Sequence, residues 1–345
     1  MAVAGAAGDQ PGSEESEARM KVTVLGAGAW GTALGKLLHE SEHNITLWGH
    51  NPQHVEQIRR TGRNEPYLPG IELPRDWRLE TDPTKAVHDS ECVVVAVPSK
   101  AFREVTRCLA NFDGLAVSVT KGIEHGTGLT MSGILRQTAP RARIAALSGP
   151  TLALEVARGI PTAIVAASGD IQTAPKVQEL FHRPAFRVYT STDLLGVELG
   201  GALKNVIAIA AGVSDGLGFG DNSKAALITR ANAEIRRLGE ACGAQAETFS
   251  GLSGLGDLAV TCFSRLSRNR GFGERLGRGE KVPDILASML NVAEGYPTAR
   301  SAWQLARKVR RSTPIIDEVY AILYEQKNAA QALRDLISRE SKAED

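Results

Sequence analysis

The run KVTVLGAGAWGTALGKLLHE, residues 21–40, decides the fold of this chain. Lys21 to Leu25 read as a short apolar strand, and TALGKLLHE has the apolar spacing of a helix. Between them Gly26, Gly28 and Gly31 form G-x-G-x-x-G, in which each glycine has a task in a dinucleotide site. The first permits a tight turn, the second lets backbone approach a pyrophosphate, and the third lets helix pack on strand. The helix N-terminus then offers free N–H groups and a partial positive charge to the phosphates. Trp30, inside the turn, either covers the cofactor or packs on the sheet.

Working outward, NITLW (44–48) reads as the second strand, ending at Gly49, His50 and Asn51. An NAD-selective site carries an acid about twenty residues after the glycine turn, where it binds the ribose 2′-hydroxyl. Here that place holds His50 and Asn51, an end that tolerates a 2′-phosphate, so the expected cofactor is NADP(H) or NAD(H). Arg59 and Arg60 read as surface charges. Further strands are expected at CVVVAV (92–97), LAVSVT (115–120), IAALS (144–148), TAIVAA (162–167) and FRVYT (186–190). The early ones are continuous apolar runs, as suits parallel strands covered on both faces. Ligands bind at the carboxyl edge of such a sheet. Loops leave that edge at Val97-Pro98-Ser99, Thr120-Lys121-Gly122 and Ser148-Gly149-Pro150-Thr151. Lys121 is either an ordinary loop lysine or a second cation facing an anionic or carbonyl-bearing substrate.

After about residue 191 the strand signal stops, and helical periodicity follows near 193–213, 222–241, 251–262, 267–277, 282–290, 297–310 and 315–325. The expected fold is an α/β Rossmann-like dinucleotide-binding domain followed by an all-α C-terminal domain. Residues 1–20 are expected to be a disordered tail, 21–191 the NAD(P)-binding domain and 192–340 the helical substrate-binding domain. The tail is small-residue-rich and acidic and lacks the features of a secretory signal. A net charge of +1 without a long basic run argues against nucleic acid as a partner. Val197–Val213, the nearest approach to a membrane span, carries Glu198 and Lys204, so no membrane insertion is expected. Cys92, Cys108, Cys242 and Cys262 show no CxxC spacing and read as reduced thiols of a cytoplasmic protein. HESEH (39–43) matches H-E-x-x-H formally but falls where a helix ends, so no metal site is expected.

The helical half holds the remaining polar signals. Lys204 lies inside GVELGGALKNVIAIAAG (196–212), with Gly200, Gly201, Ile207 and Ala208 as its helical neighbours. It either snorkels to the surface or sits desolvated, with a lowered pKa that suits a proton donor. Asp257, in SGLSGLGDLAV, needs a partner, and Lys204 is an available one. Close pairing raises the lysine pKa while desolvation lowers it, and the sequence leaves that balance open. SRNR (267–270) is either a solvated basic turn or a helix start where N–H groups and Arg268 grip a phosphate.

Taken together, GAGAWGTA, VPSKAF, TKGIE, SGPT, GVELGGALKNVIAIAAG, GLGDL, SRNR and AEGYPT resemble, in this order, the bacterial type of NAD(P)-dependent glycerol-3-phosphate dehydrogenase. The resemblance covers nearly the whole chain outside the tail. It implies an oxidoreductase acting on a CH–OH group that reversibly reduces dihydroxyacetone phosphate to sn-glycerol 3-phosphate for glycerophospholipid synthesis. A cytoplasmic enzyme and a homodimer are also implied. By the same resemblance Lys204 is the general acid/base. Lys121, Gly149, Thr151, Lys204, Asp257, Ser267, Arg268 and Asn269 line the substrate site. Besides the three glycines, Ala29, Trp30, His50, Lys121, Ala153, Arg268, Val292 and Glu294 contact the cofactor. Ala29 stands where the family often has serine, and Ala293 where valine is more usual. Two alternatives are a β-hydroxyacid dehydrogenase of the same two-domain plan, against which SRNR argues for phosphate, and a non-catalytic NADP-binding sensor.

Overall fold

A computed structural model of the chain describes residues 19–289 and 293–338. Its strands are β1 (Lys21–Leu25), β2 (Asn44–Trp48), β3 (Arg78–Glu80), β4 (Cys92–Val95), β5 (Leu115–Ser118), β6 (Arg143–Ser148), β7 (Thr162–Ala167) and β8 (Phe186–Ser191). They form one sheet in the order β3-β2-β1-β4-β5-β6-β7-β8. All neighbours pair in parallel except β6 and β7, which run antiparallel. The helices of this half are α1 (Ala29–His39), α2 (Pro52–Thr61), α3 (Pro83–Val87), α4 (Phe102–Thr106), α5 (Met131–Thr138), α6 (Ala153–Ala157) and α7 (Thr173–Phe181). Alternate strand residues serve opposite faces. Val94 and Val117 pack with α1 and α7, whereas Val93, Val95 and Ala116 pack with α4 and α5.

The chain passes from β8 almost directly into α8 (Leu194–Gly216), longer than the 193–213 expected. There follow α9 (Asp221–Ala241), α10 (Asp257–Phe263), α11 (Arg268–Gly277), α12 (Val282–Ser288), α13 (Gly295–Lys308), α14 (Pro314–Tyr324) and α15 (Ala329–Ile337). β3, the helices α2–α7 between the later strands, and α15 have no counterpart among the elements expected from the sequence, β3 because three residues are too few to carry a period. The segment expected at 251–262 is a wide π-type turn, Leu252–Gly256, running into α10.

α8 is the axis of the helical half and is buried on nearly every side. By length and hydropathy α8 could cross a membrane, but 89% of its most apolar window lies against other parts of the protein. The carboxylates at its start are satisfied internally. Asp193 caps it by accepting from Gly196 N–H, and Glu198 accepts from the backbone and hydroxyl of Ser132. Gly212 and Gly216 of α8 meet Gly273 and Gly277 of α11, where any Cβ would strike the facing backbone. Two glycine pairs four residues apart therefore let these helices touch backbone to backbone, which sets the position of the α11 N-terminus.

Candidate active site

At the glycine turn, Gly26 has φ +130°, and a Cβ there would lie 2.5 Å from the Ala96 carbonyl oxygen. At Gly31 a Cβ would run into the Gly26 carbonyl. Gly28 differs: it is the N-cap of α1, extended, without a side-chain cap, and a Cβ there would meet nothing within 4 Å. Two glycines thus serve the fold, and the third keeps a helix N-terminus open from outside, which fits the pyrophosphate of a dinucleotide. Trp30 is partly buried and packs against the sheet core on that face. At the end of β2, His50 is exposed and Asn51 caps α2 by accepting from the N–H groups of Gln53 and His54. Arg59 is engaged with Glu56 and the Leu79 carbonyl, as a surface charge should be. α1 ends at His39, so HESEH leaves the helix after its first residue and does not set both histidines on one helical face.

The strand-end loops meet the helical half around Asp257, a carboxylate only 1% exposed. Lys121, just beyond β5, donates to Asp257 Oδ2 at 2.5 Å and to the Gly149 carbonyl at 3.1 Å. Lys204 of α8, 7% exposed, donates to Asp257 Oδ1 at 2.7 Å and to Thr261 Oγ1 at 2.6 Å. Thr261 in turn donates to the Asp257 backbone carbonyl at 2.7 Å. One carboxylate therefore holds two ammoniums, one from each half of the molecule. Burial is the largest influence on Lys204 and lowers its pKa to about 8, with Asp257 opposing and Lys121 assisting. The balance left open by the sequence thus falls to desolvation, and the snorkelling alternative is excluded by the burial. Gly201 permits the arrangement, since a Cβ there would lie 2.5 Å from Ser148 Oγ and 3.5 Å from Lys121 Cγ. The bare strip on α8 therefore receives the sheet edge and the 253–254 backbone.

Each lysine carries three N–H donors. Among the described residues the bonds above use two on each, leaving one donor per lysine uncommitted.

The start of α11 supplies the third part. Ser267 caps the helix by accepting from Arg270 N–H at 3.2 Å. Asn269 is buried: its Nδ2 donates to Asn205 Oδ1 at 2.8 Å, and its Oδ1 accepts from Gly295 N–H at 2.9 Å. Arg268 is exposed and carries a charge felt by Glu294. Glu294 accepts from Ser99 N–H at 3.2 Å and from Ser99 Oγ at 2.6 Å. Thr151 Oγ1 donates to the Gly149 carbonyl at 3.2 Å, and Ala153 opens α6. Val292 lies outside the described residues.

The sequence reading did not single out Thr261, Asn205 or Ser99. Thr261 was legible in principle, one helical turn after Asp257, and Asn205 directly follows Lys204. Ser99 was named only as part of a loop, because its partner lies 195 positions away.

Two family models match the chain. The NAD-dependent glycerol-3-phosphate dehydrogenase N-terminus spans residues 21–174, and the corresponding C-terminus spans residues 193–334. A glycerol-3-phosphate dehydrogenase [NAD(P)+] of Geobacter metallireducens is 48% identical over 330 residues, covering 94% of this chain and 98% of that one. Its counterpart from Chlorobium phaeobacteroides is 46% identical over 331 residues, covering 94% and 99%. The crystal structure of glycerol-3-phosphate dehydrogenase from Coxiella burnetii superposes with a TM-score of 0.90 at 36% identity, covering 93% and 99%. Fold, both halves and nearly full-length identity agree, and the chain belongs to the NAD-dependent glycerol-3-phosphate dehydrogenase family.

Proposed function

We propose that this protein is an NAD(P)-dependent sn-glycerol-3-phosphate dehydrogenase that reversibly reduces dihydroxyacetone phosphate, supplying glycerol phosphate for phospholipid head groups. The observation that carries the reading is the bridge of Asp257 between Lys121 and Lys204, set where the sheet edge meets the helical half. A bound nicotinamide supplies the hydride in the reduction and accepts it in the oxidation. Negative charge then develops on the former carbonyl oxygen and must be stabilised and protonated. Lys204, with a pKa lowered to about 8, gives up its proton readily near neutral pH and takes it back in the reverse direction. Asp257 and Thr261 occupy two of its three donors and so aim the third. Lys121 adds a second positive charge on the same carboxylate.

Substrate phosphate is assigned to the α11 start, where Ser267, Arg268 and Asn269 combine a helix N-terminus with a guanidinium. Held there, away from the reacting carbon, it orients the ketone toward Lys204. Gly149 and Thr151 would line the substrate site, the Gly26–Gly31 turn would hold the pyrophosphate at the uncapped α1 N-terminus, and Ala29, Trp30, His50, Ala153 and Glu294 would contact the nucleotide. The reading also includes a division into domains at about residue 191, a homodimer and a reducing, cytoplasmic setting. The four unpaired cysteines suit that setting.

The test is steady-state oxidation of NADPH and of NADH with dihydroxyacetone phosphate, alongside 3-hydroxy acids in the reverse direction. Turnover with the ketone phosphate and formation of sn-glycerol 3-phosphate are expected. Turnover confined to the hydroxy acids, or none with either class, sinks the assignment.

A further inference from the structure

We propose that Ser99 is a positioning residue for cofactor binding, its backbone N–H and hydroxyl holding Glu294 as a strap that fixes the helical half across the carboxyl edge of the sheet. The proposal rests on the dehydrogenase reading above, in which Glu294 touches the cofactor. Ser99 lies four residues after β4 and grips both oxygens of a carboxylate 195 positions away. Its loop also abuts the residue after Lys121, since a Cβ on Gly122 would lie 2.5 Å from Ser99 Cβ. At the other end the strap is tied down by its neighbours. Gly295 N–H donates to Asn269, and Asn269 donates to Asn205, which adjoins Lys204 on α8. The Tyr324 hydroxyl donates to the Tyr296 carbonyl at 2.7 Å, and the two rings stack with centroids 5.0 Å apart. A continuous chain of bonds therefore runs from β4, through Glu294, to the helices bearing the proposed phosphate grip and Lys204.

The strap leaves Glu294 free to bind. An ionised carboxylate offers about four acceptor positions, and Ser99 uses one on each oxygen. Each oxygen keeps capacity for a hydroxyl of the nucleotide. Burial raises the pKa of Glu294, whereas the two Ser99 bonds and the charges of Arg268 and Lys100 pull it down. Ser99 thus both aims the carboxylate and favours its ionised form, the better acceptor.

The test is direct titration of NADPH and NADH, followed by nucleotide fluorescence, into wild type, Ser99→Ala, Ser99→Thr, Glu294→Gln and the Ser99→Ala/Glu294→Gln double variant. Ser99→Ala keeps the backbone bond and loses only the hydroxyl bond to a charged acceptor, so nucleotide binding is expected to weaken by roughly tenfold. Ser99→Thr is expected to restore most of that loss. The double variant should bind no more weakly than Glu294→Gln alone, because Ser99 acts through Glu294. Ser99→Ala binding within about twofold of wild type, or additive losses in the double variant, overturns the proposal. So does a drop in the melting temperature of the nucleotide-free protein with unchanged nucleotide affinity. Wild type that binds nucleotide but does not turn over dihydroxyacetone phosphate defeats the dehydrogenase reading instead, and the binding series still reports on the strap.

Discussion

The glycine turn at residues 26–31 and the cluster of Lys121, Lys204 and Asp257 build their parts of the site by opposite means. The turn uses consecutive residues and backbone groups, and its chemistry is the absence of side chains. The cluster joins side chains 53 and 136 positions apart, and the state of each depends on the others. A site made from backbone is sensitive to volume; a site made from buried charges is sensitive to its partners.

The largest effect that tests this contrast belongs to the cluster. Lys204→Ala is expected to lower kcat for ketone reduction by about 10²- to 10⁴-fold, the range of a lost general acid. Nucleotide titration of the same variant should match wild type, since the turn lies elsewhere; near-normal turnover breaks the assignment. Asp257→Asn removes the counter-charge of two lysines, one of them 8% exposed at its side chain. Breaking a buried pair of this kind costs about 3–5 kcal/mol, to be read from denaturant unfolding. An unfolding free energy within about 1 kcal/mol of wild type, the scale of a surface pair, would mean the bridge does not govern the cluster.

Within the turn, Gly31→Ala and Gly28→Ala should separate fold from function. The first places a methyl on the Gly26 carbonyl and is expected to destabilise by about 1–3 kcal/mol, the usual cost of overpacking. The second meets open space, so the melting temperature should hold while nucleotide affinity falls by at least about tenfold. Equal behaviour of the two variants in both assays erases the distinction.

The smallest effect is in pH. On the proposed mechanism reduction needs Lys204 protonated, and its pKa is lowered to about 8. The rate should be level below that pH and fall by up to about tenfold per unit above it, while oxidation shows the mirror-image rise. In Asp257→Asn the charge that most raises the lysine pKa is gone, so the descending limb should move to lower pH. A limb that stays in place separates the titration from Lys204.

Much of this was legible from residues alone. The turn, six of the seven later strands, α1 and the helices α8–α14 follow from local spacing, and the family resemblance brought Lys121, Lys204, Asp257 and the α11 start together by number. β3 escaped because three residues carry no period, and α2–α7 and α15 were not among the segments read as helical. Ser99 escaped because nothing near it in the chain marks the distant carboxylate it binds. Asn269 was read as a phosphate ligand by resemblance; its buried side chain is engaged by Asn205 and Gly295, whereas Arg268 is exposed, and nothing adjacent in the chain marks either partner.

By itself the sequence determined the two-part plan, the glycine turn and the identity of the ionisable residues, because these depend on neighbours within a few positions. Only the tertiary structure decided that Asp257 is shared between two lysines, that burial outweighs that carboxylate in setting the Lys204 pKa, and that Ser99 straps Glu294 to the sheet edge. Those outcomes depend on distance and desolvation between residues far apart in the chain, and neither quantity exists until the halves have packed.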